Sequence, residues 1–578
     1  MTGPIPPVLI VGAGPTGLTA ACVLWDLGVP CRVVDRRPGP GIAPKGLVLW
    51  SGALECLDRV GVAARLASSA LPLAGASYWS KGRRLAVARF GGLTGTAFPG
   101  PLCVPQPVTE RALHARLTEL GGTVEWETEA TAVTVERAGA SGTAESVTVT
   151  LRSAAGGGEE TVTVPWLVAS DGARSMIRDS VGIPFEGHTF DRTFLIGDGL
   201  LAGAGAEAEV QHHITPDGVL VIVPQPDGHR VFFDIEPEDG DDRTEAPSEE
   251  LLQRLLDERG PGGLRLHGTW WTSRFRVHAK VAPRFRAGPV LLAGDAVHAH
   301  TTAGGQGLNT GIQDGYDLGW KLASVVRGCD PALLDSFEAE RRPASVRAVA
   351  NGDQQTRMWL LRSPAARFVR DNVMRLLSAT GLLERKALPL LAQLDLDHSA
   401  SPAVTDLDGA RAVPRALRLG RRAPDAALTP VQGTTARSLH AHLSDGRHTL
   451  LIHGDHTAGA LAAHAAATVR TRGTADAIRI LWLQPTDPAP GPASTSGPAP
   501  APDVASDPAV HRGLGWAVAR ERGVAFGGAG AGAGLPWCVY LRPDGVVAAR
   551  SGAAGLDALL DLLPSRPPHP APVPAARS

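Results

Sequence analysis

Three glycines near the N-terminus, Gly12, Gly14 and Gly17, form the pattern GxGxxG, and Asp35 follows 23 residues after the first of them. In this pattern the first glycine makes a tight turn, the second lets a pyrophosphate approach the backbone, and the third lets a helix pack closely on a strand. An acidic residue at this distance accepts hydrogen bonds from a ribose diol and disfavours a 2′-phosphate. The spacing therefore predicts an ADP-containing cofactor, either NAD or FAD.

Two later segments distinguish between these cofactors. ASDGARSMIR contains Asp171, and AGDAVHAHTTAGGQGLNTG contains Gly294 and Asp295 ahead of a glycine loop. A plain NAD dehydrogenase does not need a second unit of this kind about 280 residues after the first, whereas the ribityl chain and isoalloxazine ring of FAD extend well beyond its ADP half. The sequence therefore predicts FAD.

The elements around these residues have the expected order. VLIV at 8–11 predicts a strand, the residues after Gly17 have helical spacing up to Gly28, and CRVVD predicts a second strand that ends at Asp35. The segments 164–175 and 289–298 each predict a strand followed by a turn, and a long helix is predicted from about Gln306 to Val326. The stretches 131–135, 147–151 and 207–235 are β-rich, the last with two PDG turns.

Beyond about residue 400 the sequence changes character. HTLLIHGD and AIRILWLQ predict strands, and WCVYLRPDGVVAAR predicts a hairpin, followed by a short final helix. The stretch 485–508 is rich in Pro, Ala and Ser and predicts a disordered insertion, and the tail 565–578 is predicted to be disordered as well.

Composition excludes several classes of function. The chain has 578 residues, too many for a single small binding module, and its net charge of −2 offers no basic surplus for nucleic acid. The six cysteines form no CxxC pair, which argues against a thiolate metal site, a disulfide framework or thiol–disulfide exchange. We find no signal peptide and no apolar stretch of about 18 residues, so we expect a cytoplasmic protein without a membrane partner.

Together, GxGxxG, DGxxSxxR and GDAxH…GGQGLNxGIQDxxxLGWKLA resemble the single-component (class A) FAD-dependent aromatic hydroxylases. This is the family of para-hydroxybenzoate hydroxylase, and the resemblance is greatest to its larger aromatic-polyketide hydroxylases. It implies an α/β fold with a split Rossmann-like FAD-binding domain of the GR2 type, an inserted β-sheet substrate domain and a C-terminal thioredoxin-like α/β domain. The implied ranges are 1–72, 103–186 and 282–400 for the FAD domain with its connecting helices, 73–102 and 187–281 for the substrate domain, and 401–578 for the C-terminal domain.

The resemblance also implies which residues hold the cofactor. The glycine turn would hold the pyrophosphate, Asp35 and Arg36 the AMP side, Asp295 the ribityl hydroxyls, and the glycine loop the flavin pyrimidine ring. Lys45 stands where the family commonly has arginine, and Thr302 where it commonly has proline. The full implied set is Gly12, Ala13, Gly14, Pro15, Thr16, Gly17, Asp35, Arg36, Lys45, Gln106, Asp171, Gly294, Asp295, Gly305, Gly307, Leu308 and Asn309.

No residue is assigned firmly to catalysis. The candidates are His213, Arg230 and Trp270. His212 and His213 alternate on a predicted strand, so one of them should face the substrate. Arg230 and Asp234 have the spacing of one strand face, and a solvated ion pair is a simpler interpretation than a substrate clamp. For Trp270, core packing is as good an explanation as a place near the substrate.

The activity implied by the resemblance is monooxygenation. NADPH or NADH would reduce FAD, O2 would form a flavin C4a-hydroperoxide, and an oxygen atom would pass to an aromatic carbon of a phenolic or polycyclic polyketide in secondary-metabolite biosynthesis. Baeyer–Villiger oxygenation and epoxidation use the same motifs, and a flavin oxidase or dehydrogenase and a non-catalytic scaffold are further alternatives. The expected partner is a small aromatic substrate, and the expected oligomeric state is a monomer or a homodimer.

Overall fold

The structure of the chain is a computed structural model that describes residues 6–136, 145–154, 157–203, 208–237, 245–407, 413–454, 456–484, 517–521 and 536–564. The predicted insertion 485–508 and tail 565–578 lie outside the described residues. The described chain divides into two compact units. The first comprises residues 1–94, 98–316 and 341–395, and the second comprises 95–97, 317–340 and 396–578.

The N-terminal strand, turn and helix form as predicted. Val8–Val11 is buried along its whole length and pairs in parallel with Cys31–Val34. Between them lies the helix Pro15–Asp26, which begins with proline at a position where no backbone N–H is needed. These strands belong to a six-stranded, largely parallel sheet, in the order Arg286–Ala287, Val290–Leu292, Trp166–Ala169, Val8–Val11, Cys31–Val34 and Val124–Glu125.

A second, eight-stranded sheet is antiparallel except for one parallel pair. Its strands alternate so that one face is rich in aromatic side chains and the other packs aliphatic side chains with the helix Glu249–Arg259. The order is His298–Ala299, Arg265–Val281, Glu186–Ala202, Gly228–Ile235, Gly218–Gln225, Glu209–Thr215, Gly75–Ser80 and Arg83–Arg89.

Two small sheets and most of the helices complete the first unit. The sheets comprise Glu159–Val164, Ser146–Ser153 and Thr128–Glu136, and Val48–Leu49, Leu102–Cys103 and Leu71–Pro72. The helices are Ser51–Val60, Ala63–Ala67, Gln106–Glu119, Met176–Ser180, Pro364–Ala379 and Leu382–Ala392, with short 3-10 turns at Gly294–Ala296 and Ala303–Gly305. The long helix begins and ends as predicted, at Gln306 and Val326, and the helix Asp335–Trp359 follows it.

The second unit is built on a seven-stranded mixed sheet with a hydrophobic cluster on each face. Its order is Thr405–Asp406, Val547–Gly552, Trp537–Leu541, His448–His453, Ile478–Gln484, Ala517–Glu521 and Leu428–Gln432. Its shorter helices are Leu439–His442, His456–Thr471 and Leu556–Asp561, with 3-10 turns at Pro331–Leu334 and Ala553–Gly555. Among all described helices, none is long and apolar enough to cross a membrane.

Candidate functional site

The first glycine turn is closed by contacts that exclude any side chain. Gly12 has a φ of +103°, and a Cβ there would lie 2.2 Å from the carbonyl oxygen of Ser170. A Cβ on Gly17 would lie 2.0 Å from the carbonyl oxygen of Gly12. Ser170 adds hydrogen bonds from its hydroxyl to the carbonyls of Val11 and Gly12. Both glycines are thus required by the fold of the turn itself.

Gly14 differs from these two glycines. It is the N-cap of the helix Pro15–Asp26, in an extended conformation, and no side chain caps that helix end through a hydrogen bond. A Cβ on Gly14 would meet no atom within 4 Å. The helix end is therefore uncapped by side chains, with open space beside Gly14, and a helix N-terminus of this kind favours an anion.

The second glycine unit packs directly on the first. A Cβ on Gly294 would lie 2.4 Å from the Thr16 hydroxyl, and a Cβ on Gly311 would lie 2.5 Å from the same atom. Asp295 follows Gly294 and is exposed. Desolvation by the neighbouring protein atoms raises the pKa of Asp295, and the charges of His298 and Lys45 oppose the shift. Two segments about 280 residues apart in the sequence thus pack against each other. The first presents the uncapped helix end at Gly14, and the second presents the carboxyl group of Asp295.

The DGxxSxxR segment connects the two glycine units. The Arg178 guanidinium donates to the carbonyls of Ala173 and Ala296, at 3.1 and 3.2 Å. Asp171 accepts from the Ile177 backbone with one oxygen, while its Oδ1 is buried and has no hydrogen-bond partner among the described residues. Burial raises the pKa of Asp171.

The glycine loop before the long helix is held by Trp50 and Asn309. The Trp50 indole donates to the Gly304 carbonyl at 3.0 Å, and the Trp50 backbone donates to Asn309 Oδ1 at 2.6 Å. Asn309 Nδ2 donates in turn to the Gly305 carbonyl at 2.7 Å. Thr302 has a φ of −70°, which is the value that a proline at this position would impose.

Gln106 and Leu308 contact the loop that contains Lys45. Gln106 Oε1 accepts from the Gly46 backbone at 3.0 Å, and a Cβ on Gly46 would lie 2.9 Å from the Leu308 side chain. Glu110, one turn after Gln106, accepts from the Gly41 backbone at 2.7 Å. Glu110 is not among the residues predicted from the sequence, although its i+4 spacing from Gln106 places it on the same helix face.

Asp35 and Arg36 are arranged differently from what the resemblance implies. Asp35 accepts hydrogen bonds from the Ala13 backbone and from the backbone, Nε and Nη2 of Arg37. These four donors occupy the acceptor positions of its carboxylate. The side chain of Arg36 is 70% exposed, whereas Arg37 also donates to the Ala13 carbonyl at 2.9 Å. Arg37, which sequence analysis did not single out, is therefore the arginine at the glycine turn.

The interpretation of Arg230 and Asp234 as a solvated pair is wrong. Both are buried, and Arg230 pairs with Asp198, directly opposite on the neighbouring strand, at 2.7 and 2.8 Å. Arg230 also donates to the carbonyls of Pro44 and Lys45. Asp234 instead accepts from Arg192 and Arg259. Arg230 thus connects the sheet to the loop that presents Lys45.

The two histidines of one strand face opposite sides of the sheet. His213 lies opposite Leu220, which belongs to the aliphatic face, whereas His212 lies opposite Val221, which belongs to the aromatic face. The His212 ring stacks on Tyr78, with ring centroids 4.7 Å apart. Burial lowers the pKa of both histidines to about 4. Of the pair, the structure places His212, not the candidate His213, on the aromatic face.

That aromatic face reaches the glycine loop. Ala303 belongs to the same hydrophobic cluster as Phe194, Phe232 and Trp359. Trp271 and Phe275 pack against this cluster, and the Arg230 guanidinium lies 5.0 Å from the Trp271 ring centroid. Trp270, by contrast, is 50% exposed. The aromatic wall therefore contains Trp271 and lies beside the loop.

Three comparisons show which known proteins this chain is similar to. Residues 6–352 match the family described as FAD binding domain. The chain is 33% identical to 6-methylpretetramide 4-monooxygenase of Streptomyces rimosus, over 98% of this chain and 95% of that protein. It is 34% identical to a flavin-dependent monooxygenase of Mycobacteroides abscessus, over 73% of this chain and 84% of that protein. Among solved structures, OxyS anhydrotetracycline hydroxylase from Streptomyces rimosus is 28% identical, with a TM-score of 0.70 over 98% of this chain and 100% of that one.

Proposed function

Because the chain belongs to the family of FAD-dependent monooxygenases, we propose that it hydroxylates a polycyclic aromatic polyketide and consumes NADPH or NADH and O2. The observation that carries this proposal is the position of Ala303, which joins the glycine loop to a wall of Phe and Trp side chains. A flat aromatic ring packs favourably against such side chains. The similar proteins named for 6-methylpretetramide and anhydrotetracycline support a substrate of this class.

The residues present fit FAD. The uncapped helix end at Gly14, the open space beside that glycine and the exposed carboxyl of Asp295 are the features that a pyrophosphate and a ribityl chain need. Arg37 at the turn and Lys45 near Asp295 add positive charge. The residues that we propose to hold FAD are Gly12, Ala13, Gly14, Pro15, Thr16, Gly17, Arg37, Lys45, Gln106, Asp171, Gly294, Asp295, Gly305, Gly307, Leu308 and Asn309.

When bound, FAD supplies the redox chemistry that activates O2 and transfers one oxygen atom. The protein positions the cofactor and the substrate, and it stabilises charge. Trp50 and Asn309 hold the loop that leads into the helix Gln306–Val326, and the N-terminus of that helix favours a negative charge beside it. The aromatic side chains next to Ala303 exclude water from the substrate side. We propose that the nicotinamide cofactor docks transiently, since the sequence contains no second GxGxxG unit for it.

For the domains, we propose the division inferred from the resemblance. A split Rossmann-like FAD-binding domain of the GR2 type comprises 1–72, 103–186 and 282–400, and a substrate domain comprises 73–102 and 187–281. A C-terminal thioredoxin-like domain comprises 401–578. Support comes from the six-stranded sheet and most strands of the eight-stranded sheet, which fall within the first two sets of ranges. We propose a monomer or homodimer that acts in the cytoplasm.

The reaction is tested by isotope incorporation. The FAD-loaded protein is supplied with NADPH or NADH, a polycyclic phenolic substrate and ¹⁸O2, and the products are analysed by mass spectrometry. One ¹⁸O atom in a new ring hydroxyl supports the proposal. Hydrogen peroxide with an unlabelled oxidised product would indicate an oxidase, and label in an ester or an epoxide would indicate one of the alternative oxygenations.

The cofactor site is tested separately through Asp295→Ala. We expect this variant to fold normally and to bind FAD more weakly than the parent protein, because it lacks the carboxyl that would bind the ribityl hydroxyls. FAD affinity is measured by fluorescence titration of the apoprotein. Asp191→Ala, which removes an exposed carboxylate on the eight-stranded sheet, is the matched control. Full FAD occupancy in Asp295→Ala would contradict the assignment.

A further inference from the structure

The outer face of the helix Pro364–Ala379 is apolar and uncovered. Of the eleven large hydrophobic side chains that are exposed in the described part of the chain, five lie within the fifteen residues 368–382, and Phe368 is the most exposed of the five at 71%. Val369, Val373 and Leu376 have the i, i+4, i+7 spacing of one helix face, and Phe368 lies beside them. Single exposed apolar residues need no explanation, but a contiguous group of them marks an interaction site.

The opposite face of this helix is covered by the first unit itself. Met374 belongs to one hydrophobic cluster with Leu85 of the strand Arg83–Arg89, which is the last strand of the eight-stranded sheet. The Ser378 hydroxyl accepts from the Val87 backbone and donates to the Val87 carbonyl, both at 3.1 Å. The helix is therefore fixed along the edge of the sheet, and its outer face is left open to a partner.

The apolar face is surrounded by positive charge. The segments 81–89 and 364–386 together carry nine cations and two carboxylates, whereas the whole chain has a net charge of −2. Both carboxylates have partners, Asp371 in an ion pair and Glu384 with a backbone N–H. The exposed cations that form no ion pair with any described residue are Lys81, Arg83, Arg84, Arg375, Arg385 and Lys386. The surface therefore has a surplus of cations without counter-charges.

A polar side chain in the middle of the apolar face limits what can cover it. Asn372 is exposed one helical turn from both Phe368 and Leu376, and a polar group is costly to bury in the hydrocarbon of a membrane. A second copy of the chain, packed symmetrically, would bring two positively charged surfaces together. A helix that has an apolar stripe with acidic borders would contact the apolar face and neutralise its cations at the same time.

We propose that the outer face of the helix Pro364–Ala379 binds an acidic amphipathic helix of another protein. Phe368 and Leu376 pack between the apolar side chains of that helix, as side chains do in other helix–helix contacts. Arg375, at the border of the face, pairs with a carboxylate of the partner. Binding at this face does not depend on the proposed function, because none of these residues belongs to the set that we propose to hold FAD.

The first test uses two synthetic helical peptides of about 20 residues that share one leucine stripe and carry either glutamate or lysine along its borders. Their binding to the full-length protein is measured by fluorescence anisotropy. We expect the glutamate peptide to bind about 10-fold more tightly than the lysine peptide, and Leu376→Asp to weaken its binding by about 10- to 100-fold, because an apolar contact is lost. Val431→Asp, at an exposed valine of the second unit, is the control. Equal binding of the two peptides, or parental binding by Leu376→Asp, would overturn the proposal.

The second test identifies the natural partner by photo-cross-linking. The variant Val369→p-benzoylphenylalanine is irradiated in an extract of the native host, and the cross-linked peptides are sequenced by mass spectrometry. A cross-link to an acidic amphipathic helix of another protein supports the proposal. A cross-link to a second copy of this chain or to a segment without acidic residues, or the absence of any cross-link, overturns it. Sedimentation of the protein with phosphatidylglycerol vesicles, if Leu376→Asp abolishes it, assigns the face to a membrane surface instead.

Discussion

Two buried charge networks, one in each unit, differ in how they end. In the second unit, the Arg542 guanidinium donates to both oxygens of Glu340, at 2.6 and 2.8 Å, and also to Asp544. Lys321 donates to Asp317 at 2.8 Å and to Glu340 at 2.9 Å. In the first unit, Asp314 pairs with Arg341 and His298, and the series ends at His300, whose Nδ1 has no partner among the described residues.

The two networks differ in whether every buried polar atom has a partner among the described residues. Asp317, Glu340 and Asp544 are close enough together to resemble a metal site, but Lys321 and Arg542 already provide the positive charge that an ion would bring. Burial raises the pKa of Asp317 to about 6. This network is complete within the unit. In the network of Asp314, the Nδ1 of His300 has no partner among the described residues, and we expect substitutions in the two networks to differ accordingly.

The largest effect is expected for Arg542→Met. This variant leaves Glu340 and Asp544 without their main counter-charge in a buried position, which costs roughly 5 kcal/mol of unfolding free energy. The measurement is chemical denaturation of the full-length protein. Arg470→Met, at an exposed arginine, should change the same quantity by less than about 0.5 kcal/mol. Similar values for the two variants would show that the Arg542 network is not structural.

A smaller loss of stability, but an additional loss of function, is expected for Asp314→Asn. The neutral side chain leaves Arg341 buried without its carboxylate, at a cost of about 3 kcal/mol. It also removes the group that determines the His298 tautomer, so the pH profile of hydroxylation should change. Asp544→Asn is the matched substitution in the other network and should reduce stability while leaving that profile unchanged. Equal changes of the profile in both variants would contradict the comparison.

The smallest expected effect is on the pH dependence of the unfolding free energy. Burial lowers the pKa of His448, in the second unit, to about 3, whereas the pKa of an unfolded histidine is about 6.5. The unfolded chain therefore binds more protons below pH 6.5, and stability falls as the pH decreases, by about 1.4 kcal/mol at pH 5.5 for each such histidine. Asp317 acts in the opposite direction, because its raised pKa stabilises the fold as the pH falls below about 6.

His448→Gln tests that sign. The variant lacks the titrating ring, so its unfolding free energy should fall less than that of the parent between about pH 7.5 and 5.5, by about 1.4 kcal/mol. His267→Leu, at an exposed histidine, should retain the parental pH dependence. A steeper fall in His448→Gln than in the parent would reverse the assigned direction.

Local patterns predicted much of the fold and part of the site. The strand Val8–Val11, the glycine turn and the helix Gln306–Val326 were predicted because turn residues and apolar periodicity act over a few residues. The partner of Arg230 was not predicted, because Asp198 comes to lie opposite it through the register of two strands. For the same reason, alternation alone could not show whether His212 or His213 faces the aromatic wall.

The sequence by itself determined the cofactor class, the resemblance to the hydroxylase family and the positions of the glycine turns, because backbone approach to a phosphate requires glycine at fixed short spacings. Only the tertiary structure decided which polar groups have hydrogen-bond partners within the described protein and which have none. In the sequence, Asp35 and His300 look equally available for a ligand. In the structure, Asp35 accepts from four donors of its own chain, whereas the Nδ1 of His300 has no partner among the described residues. Their difference arises from packing between distant segments, where burial makes every unpaired polar atom costly.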